Sequence, residues 1–246
     1  EGQRIKLPKI GWVRMFQTLR HLGTIVKVVI SKTANRWFAS ILVDTFTDDP
    51  IPDIRCTPVV GIDVGIKHLA VTSEGVYYEN PKALKRYERK LKRLQRQLSR
   101  RKKGSSNWRK TKAKIAKLHY RITCIRQDAQ HKATTGIING ASRIGIESLN
   151  VAGMLKNHRL AKALSDASLS SFLSMIKYKS ERIGVKIVEA DTFYPSSKTC
   201  SACGTADSDL SLSDRTYHCR VCGHTQDRDL NAAINLKNVA MGHTET

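Results

Sequence analysis

The sequence predicts an α/β protein built on an open, mixed sheet, with a pair of long helices and a small cysteine module added to it. Three observations carry this expectation. Short apolar runs with strand character recur at residues 59–63, 67–72, 76–78, 143–147 and 185–189. Between them lie segments whose apolar residues return every three or four positions, as on one face of a helix. Near the carboxyl end stand two Cys-x-x-Cys pairs.

Composition narrows the function classes. The chain has 246 residues, enough for one large or two small domains with a buried core. Lys and Arg number 43 against 21 acidic residues, a net charge of +22, and so large an imbalance points to a polyanionic partner. A hydrophobic share of 40% places that charge on a folded protein and not on a disordered tail. No apolar run approaches the ~18 to 20 residues that span a bilayer, so no membrane partner is expected. The first residues, Glu1-Gly2-Gln3-Arg4, lack an initiator Met and an apolar signal region, and no secretory signal is expected.

Taken in chain order, Ile5 to Trp12 reads as an edge strand, because Pro8 has no N–H to offer a central one. Thr24–Ile30 and Arg36–Val43 read as a β-hairpin around the polar turn 31–35, completing a partial β module. Residues 45–56, broken by Pro50 and Pro52, read as a linker. The expected domains are thus 1–56, a core over 57–199, a cysteine module at 200–223, and a closing segment at 224–246.

The core opens with Val59-Val60-Gly61-Ile62-Asp63 and continues through two further short strands as a meander. Asn80 is placed to cap a helix starting at Pro81. Leu84, Tyr87, Leu91, Leu94 and Leu98 then form one narrow seam. After the turn 104–107, Ile115, Leu118, Ile122, Ile125 and Ala129 repeat the spacing, so the two seams can zip into an antiparallel hairpin over 81–139. Residues 82–132 hold 20 Lys or Arg and only two acids, Glu88 and Asp128. Candidate phosphate-neutralising residues on the first helix are Lys85, Arg86, Arg89, Lys92, Arg93 and Arg96. Around the turn they are Arg100, Arg101, Lys102, Lys103, Arg109 and Lys110. A merely solvated charged face is the alternative. The strand Arg143–Glu147, a loop, an amphipathic helix bearing Leu169, Phe172, Leu173, Ile176 and Ile183, and the strand Val185–Glu189 follow, with a last helix from Arg228.

Cys200, Cys203, Cys219 and Cys222 have the spacing of a four-thiolate zinc ribbon, with 15 residues between the pairs. With four protein ligands such an ion has no open position and is structural. Cys56 and Cys124 fall outside this spacing and read as packing residues.

Asp63 and Glu147 each close an apolar strand, and Asp227 and Asp229 open the last helix. Functional groups of an open α/β sheet collect beyond the carboxyl ends of its strands, so these acids can converge. Converged carboxylates require cations, and hard oxygen ligands suit Mg²⁺ or Mn²⁺. A pair of such ions ~4 Å apart serves phosphodiester hydrolysis. Taken singly, the same residues read as a turn acid, a salt-bridge partner and helix caps, and spacing does not separate Asp227 from Asp229.

Four stretches in order make a resemblance specific: Gly61-Ile62-Asp63-Val64-Gly65-Ile66-Lys67, Ile144-Gly145-Ile146-Glu147-Ser148-Leu149-Asn150, the two cysteine pairs each followed by glycine, and Asp227-Arg228-Asp229-Leu230-Asn231-Ala232-Ala233. Together they resemble the TnpB (OrfB) family of insertion sequences, which is similar to compact type V CRISPR nucleases. The stretches Leu98–Gly104 and Leu7–Gly11 resemble it as well. The resemblance implies an RNase H-like (RuvC) nuclease domain, a β-barrel wedge domain that grips RNA, and an inserted zinc ribbon. It implies RNA-guided cleavage of DNA, with a guide RNA from the element's end and target DNA as partners, no small-molecule substrate, and a prokaryotic cytoplasmic setting. Its catalytic acids fall on Asp63, Glu147 and Asp229, with Asp227 as a cap. Relative to that family the amino-terminal part is short. A catalytically silent RNA-guided DNA-binding protein and a DNA-joining transposase are the alternative functions.

Overall fold

Near the amino end, Pro8 turns the chain back on itself. Strands β1 (Arg4–Leu7) and β2 (Gly11–Arg14) pair antiparallel across the turn, with Leu7 opposite Gly11. The single edge strand expected over Ile5–Trp12 is therefore a hairpin, and the residue that cannot donate to a ladder sits in its bend. β3 (Thr24–Thr33) and β4 (Arg36–Asp44) form a second antiparallel hairpin. Its turn is just Ala34 and Asn35, both left-handed at φ 50 and 66°, as a two-residue turn that follows strand twist requires. Residues 31–33, expected in the turn, belong to the strand for that reason.

The computed structural model describes residues 3–45, 58–206, 210–211 and 214–242, and its chain divides into the units 1–50 and 51–246. Most of the expected linker, with Cys56, lies outside the described residues.

The second unit is built on β5 (Val59–Val64), β6 (His68–Thr72), β7 (Tyr77–Glu79), β8 (Arg143–Glu147) and β9 (Lys186–Ala190). They lie side by side in the order β7-β6-β5-β8-β9. β5 pairs antiparallel with β6 and parallel with β8, and β8 pairs parallel with β9, so the sheet is mixed and open as expected. The helices are α1 (Ala83–Ser99), α2 (Ser106–Asn139), α3 (Val151–Met154), α4 (His158–Ala167), α5 (Leu169–Ile183) and α6 (Arg228–Met241).

Side-chain alternation gives each face of the sheet its own role. Val60, Ile62 and Val64 of β5, with Ile144 and Ile146 of β8, pack against Ala133 and Ile137 of α2 and Phe172 and Ile176 of α5. The intervening residues Gly61, Asp63, Gly145 and Glu147 face the other way, toward α6. A Cβ on Gly61 would collide with the Ala233 carbonyl oxygen, and one on Gly145 with that of Leu236. The two glycines thus let the backbone of α6 lie directly on the sheet.

The long hairpin zips as its seams predict. Ala83, Leu91 and Leu94 of α1 meet Leu118 and Ile122 of α2, with Leu84, Tyr87, Ile115 and Ile125 at the margins. Its start differs from expectation. Asn80 accepts a hydrogen bond from the Lys82 amide, and α1 begins only at Ala83 after left-handed Lys82. Its first amides are met instead by Asp166 of α4, which accepts from Leu84 N at 2.8 Å and Lys85 N at 3.0 Å. The expected loop after Glu147 is also largely helical, as α3 and α4, each capped by an asparagine, Asn150 and Asn157. Among the described residues no helix is long and apolar enough to cross a membrane.

Candidate acidic site and cysteine metal centre

The acidic site follows from register. Ile62 of β5 pairs with Ile146 of β8, so Asp63 and Glu147, one residue on, stand abreast at the same level and on the same face. α6 runs antiparallel to β5 on that face, with Ala233 above Gly61. One helical turn back from Ala233 is Asp229, and two strand residues on from Gly61 is Asp63, distances of about 5.4 and 6.6 Å that nearly match. The first turn of α6 thereby comes to the carboxyl ends of β5 and β8. Three residues separated by 84 and 82 positions in the chain are brought into one electrostatic neighbourhood.

That neighbourhood is uncomfortable for negative charge. Burial pushes the Asp63 carboxyl well above the usual carboxylate range, and Glu147, then Asp229, push it further; Arg228 alone opposes them, and Asp227 adds to the rise. A buried Asp63 carboxylate crowded by other acids is most stable ionised beside a cation, and carboxylate oxygens suit a hard divalent ion.

Asp227 has a different role from Asp229. Its Oδ1 accepts from the Asp229 and Leu230 amides, capping α6, and the Tyr77 hydroxyl bonds the same carboxylate. The Asp229 carboxylate lies 3.4 Å from its neighbour Arg228, and its charge is felt at Asp63. Glu147 accepts a hydrogen bond from the Ser196 hydroxyl.

The cysteine centre is built from two matching loops. In the first, Gly204 N bonds Cys200 O and Cys200 N bonds Thr205 O; in the second, Gly223 N bonds Cys219 O and Cys219 N bonds His224 O. Gly204 and Gly223 adopt φ 77 and 74°, where a side chain is strained, and this fits the glycine after each pair. The second loop joins β10 (Thr216–His218) to β11 (Thr225–Asp227), and the buried Tyr217 packs on Cys200 and Cys219. All four sulfurs lie within 4.8 Å of one another, with Cys200–Cys222 at 3.7 Å and Cys203–Cys219 at 3.6 Å. A disulfide would need ~2.05 Å, whereas ligands on a tetrahedral ion with bonds of ~2.3 Å sit about 3.8 Å apart. The four thiols fit a tetrahedral metal ion.

Among the described residues this is the one group of three or more such side chains with ligand atoms so close together. The acids are more widely spread than the thiols. Cys124 is half-buried in α2, away from the spacing of the metal loops.

The twelve basic residues named from the sequence are all exposed on α1, the turn and the start of α2. Lys92 pairs with Glu88 at 2.7 Å, and Arg101 reaches back to the Asn107 carbonyl at 2.6 Å and to Thr111. Arg86 and Arg121 lie on the Tyr87 ring at 5.6 and 5.3 Å.

Several residues around the two sites were not singled out from the sequence: Ser196, Tyr77, Asn231 and Asn235. Asn231 and Asn235 carried a readable signal, two amides one turn apart inside an otherwise apolar helix, which demands buried partners. Ser196 and Tyr77 carried none, since their partners lie far away in the chain.

Residues 41–158 match the family described as "Probable transposase" (OrfB_IS605), and residues 170–236 match the Cas12f1-like TNB domain. A Streptomyces pristinaespiralis protein named "Putative RNA-guided DNA endonuclease" is 42% identical over 204 residues, 82% of this chain and 50% of that protein. The chain is similar to the TnpB (OrfB) family over both matched stretches. Escherichia coli K12 "Putative RNA-guided DNA endonuclease InsQ" is 33% identical over 258 residues, covering 99% of this chain and 63% of that one. The chain therefore spans between half and two thirds of the length of these relatives. A cryo-EM structure of a Cas12f1–sgRNA–target DNA complex superposes with a TM-score of 0.54 at 18% identity, over 86% of this chain and 55% of that one. The chain shares the α/β fold of that protein.

Proposed function

We propose that the chain forms the nuclease part of an RNA-guided DNA endonuclease of a transposable element, hydrolysing DNA phosphodiester bonds at Asp63, Glu147 and Asp229. The observation that carries this reading is the convergence of Asp63, Glu147 and Asp229 where the parallel strands β5 and β8 end beneath the first turn of α6. The sheet order β7-β6-β5-β8-β9, with three antiparallel strands followed by two parallel ones, supports an RNase H-like reading of residues 57–199 and 224–242. The names of the relatives support the nucleic-acid partners.

In this reading Asp63 and Glu147 present their carboxylates from adjacent strands, and Asp229 supplies the third from the helix. Magnesium or manganese, when bound, activates the attacking water and stabilises the leaving oxygen. The desolvated setting of Asp63 keeps bulk water from competing for those oxygens. The exposed Lys and Arg of α1 and α2 neutralise phosphates without reading sequence, which is left to pairing between guide RNA and target strand. The hairpins β1–β2 and β3–β4 are the partial wedge-type module that contacts RNA. Cys200, Cys203, Cys219 and Cys222 hold a structural zinc ion over 200–223.

The test is a cleavage assay with copurifying RNA and Mg²⁺. Asp63→Ala, Glu147→Ala and Asp229→Ala each abolish cutting and retain RNA binding; undiminished cutting by all three variants overturns the assignment. Strand-transfer products would identify a DNA-joining enzyme instead. Cys200→Ser or Cys219→Ser releases one zinc per chain, read by metal analysis, and loosens α6.

A further inference from the structure

The acidic site and the cysteine centre are joined by one short segment. Residues 196–201 run between them, and α6 holds that segment by its buried polar side chains. Asn235 donates through Nδ2 to the carbonyl oxygens of Ser196 and Thr199, both at 2.7 Å. Asn231 donates to Thr199 O at 2.7 Å and accepts from Ser201 N at 2.9 Å, on either side of the metal-loop residue Cys200. Asn231, Asn235 and Ser196 are no more than 2% exposed. At the near end of the segment, the Ser196 hydroxyl donates to Glu147 Oε1.

We propose that Ser196 is a positioning residue for Glu147: it fixes the plane of that carboxylate and turns the second oxygen toward the divalent ion. Its backbone is anchored by Asn235 and its far end by the cysteine loop, so the hydroxyl has one place to be. A carboxylate on a flexible Glu side chain has three torsions to settle, and a donor on one oxygen removes that freedom before the ion arrives. Partners of this kind, one bond removed from a metal, commonly change metal affinity about 10- to 100-fold when lost.

This inference rests on the nuclease reading, and the experiment separates the two. Mn²⁺ binding to the zinc-loaded chain is followed by electron paramagnetic resonance, with zinc content as the check on folding. Ser196→Ala is expected to weaken Mn²⁺ binding about 10-fold or more, and Ser196→Thr, which keeps the hydroxyl, to stay within about 3-fold of the parent. If Ser196→Ala releases zinc, Ser196→Cys, similar in volume and a weaker donor, decides the question by the same loss. Glu147→Ala is expected to abolish the binding. Parental affinity in Ser196→Ala together with lost binding in Glu147→Ala overturns the positioning role alone. Parental affinity in Glu147→Ala overturns the nuclease reading and this inference with it.

Discussion

Gly61 and Gly145 are the residues on which the acidic site's geometry depends most directly. Any side chain there meets the backbone of α6, not a flexible neighbour that could move aside. Gly61→Ala should lower unfolding stability by about 2 to 3 kcal/mol, measured by chemical denaturation, and should weaken divalent-ion binding because α6 carries Asp229. A loss under about 0.5 kcal/mol would show that helix and sheet are not in register as described. At this scale the sequence was informative where chemistry is local. Glycine at 204 and 223 follows from the cysteine loops, and the acids stand out because each ends or opens an element that is otherwise apolar. Asp227 and Asp229 could not be told apart by spacing, because the distinction rests on which carboxylate turns onto the helix amides and Tyr77.

Among the elements, α1 receives no side-chain cap from its own N-cap residue, Lys82. Asp166, 6% exposed, serves two of its amides and lies 3.4 Å from Arg126 of α2, so a single carboxylate ties α4 to both arms of the hairpin. Asp166→Ala should cost about 2 kcal/mol, seen as a lower unfolding midpoint. A second tie is electrostatic. Glu88 of α1 pairs with Lys92 at 2.7 Å and with Lys162 of α4 at 2.6 Å, and these lysines pull its carboxyl from 4.5 to about 2. A carboxyl depressed in the folded state adds stability that is complete above about pH 4.5 and disappears as pH falls through 2. Replacing Glu88 by Gln should flatten the stability profile between those values, and the difference should shrink in high salt. Helical periodicity made α1, α2 and α5 legible, whereas α3 and α4 fall in the segment expected as a loop. The start of α1 was misplaced because its capping group comes from 82 positions away.

Over the whole molecule the charge is concentrated. The hairpin segment 82–132 has 20 basic and two acidic residues, while the full chain has 43 and 21. Converting Arg100, Lys102 and Lys103 to alanine should weaken nucleic-acid binding and reduce the slope of log affinity against log salt by up to about 2 for a single strand. Thermal stability should stay unchanged, since all three are exposed. An unaltered slope would assign the hairpin's charge to solvent alone. The fold class was legible because strands and helices differ in period, and the mixed sheet follows from where short connections and long crossovers fall. Pairings between distant segments were not legible, and neither was the polar network under α6. That same topology sets an order of assembly. The α1–α2 hairpin closes through neighbours in the chain and can form while the polypeptide is still being made, but the sheet's parallel pairs and α6 must wait for segments synthesised much later. A growing chain therefore acquires its positive arm well before its three distant acids can gather.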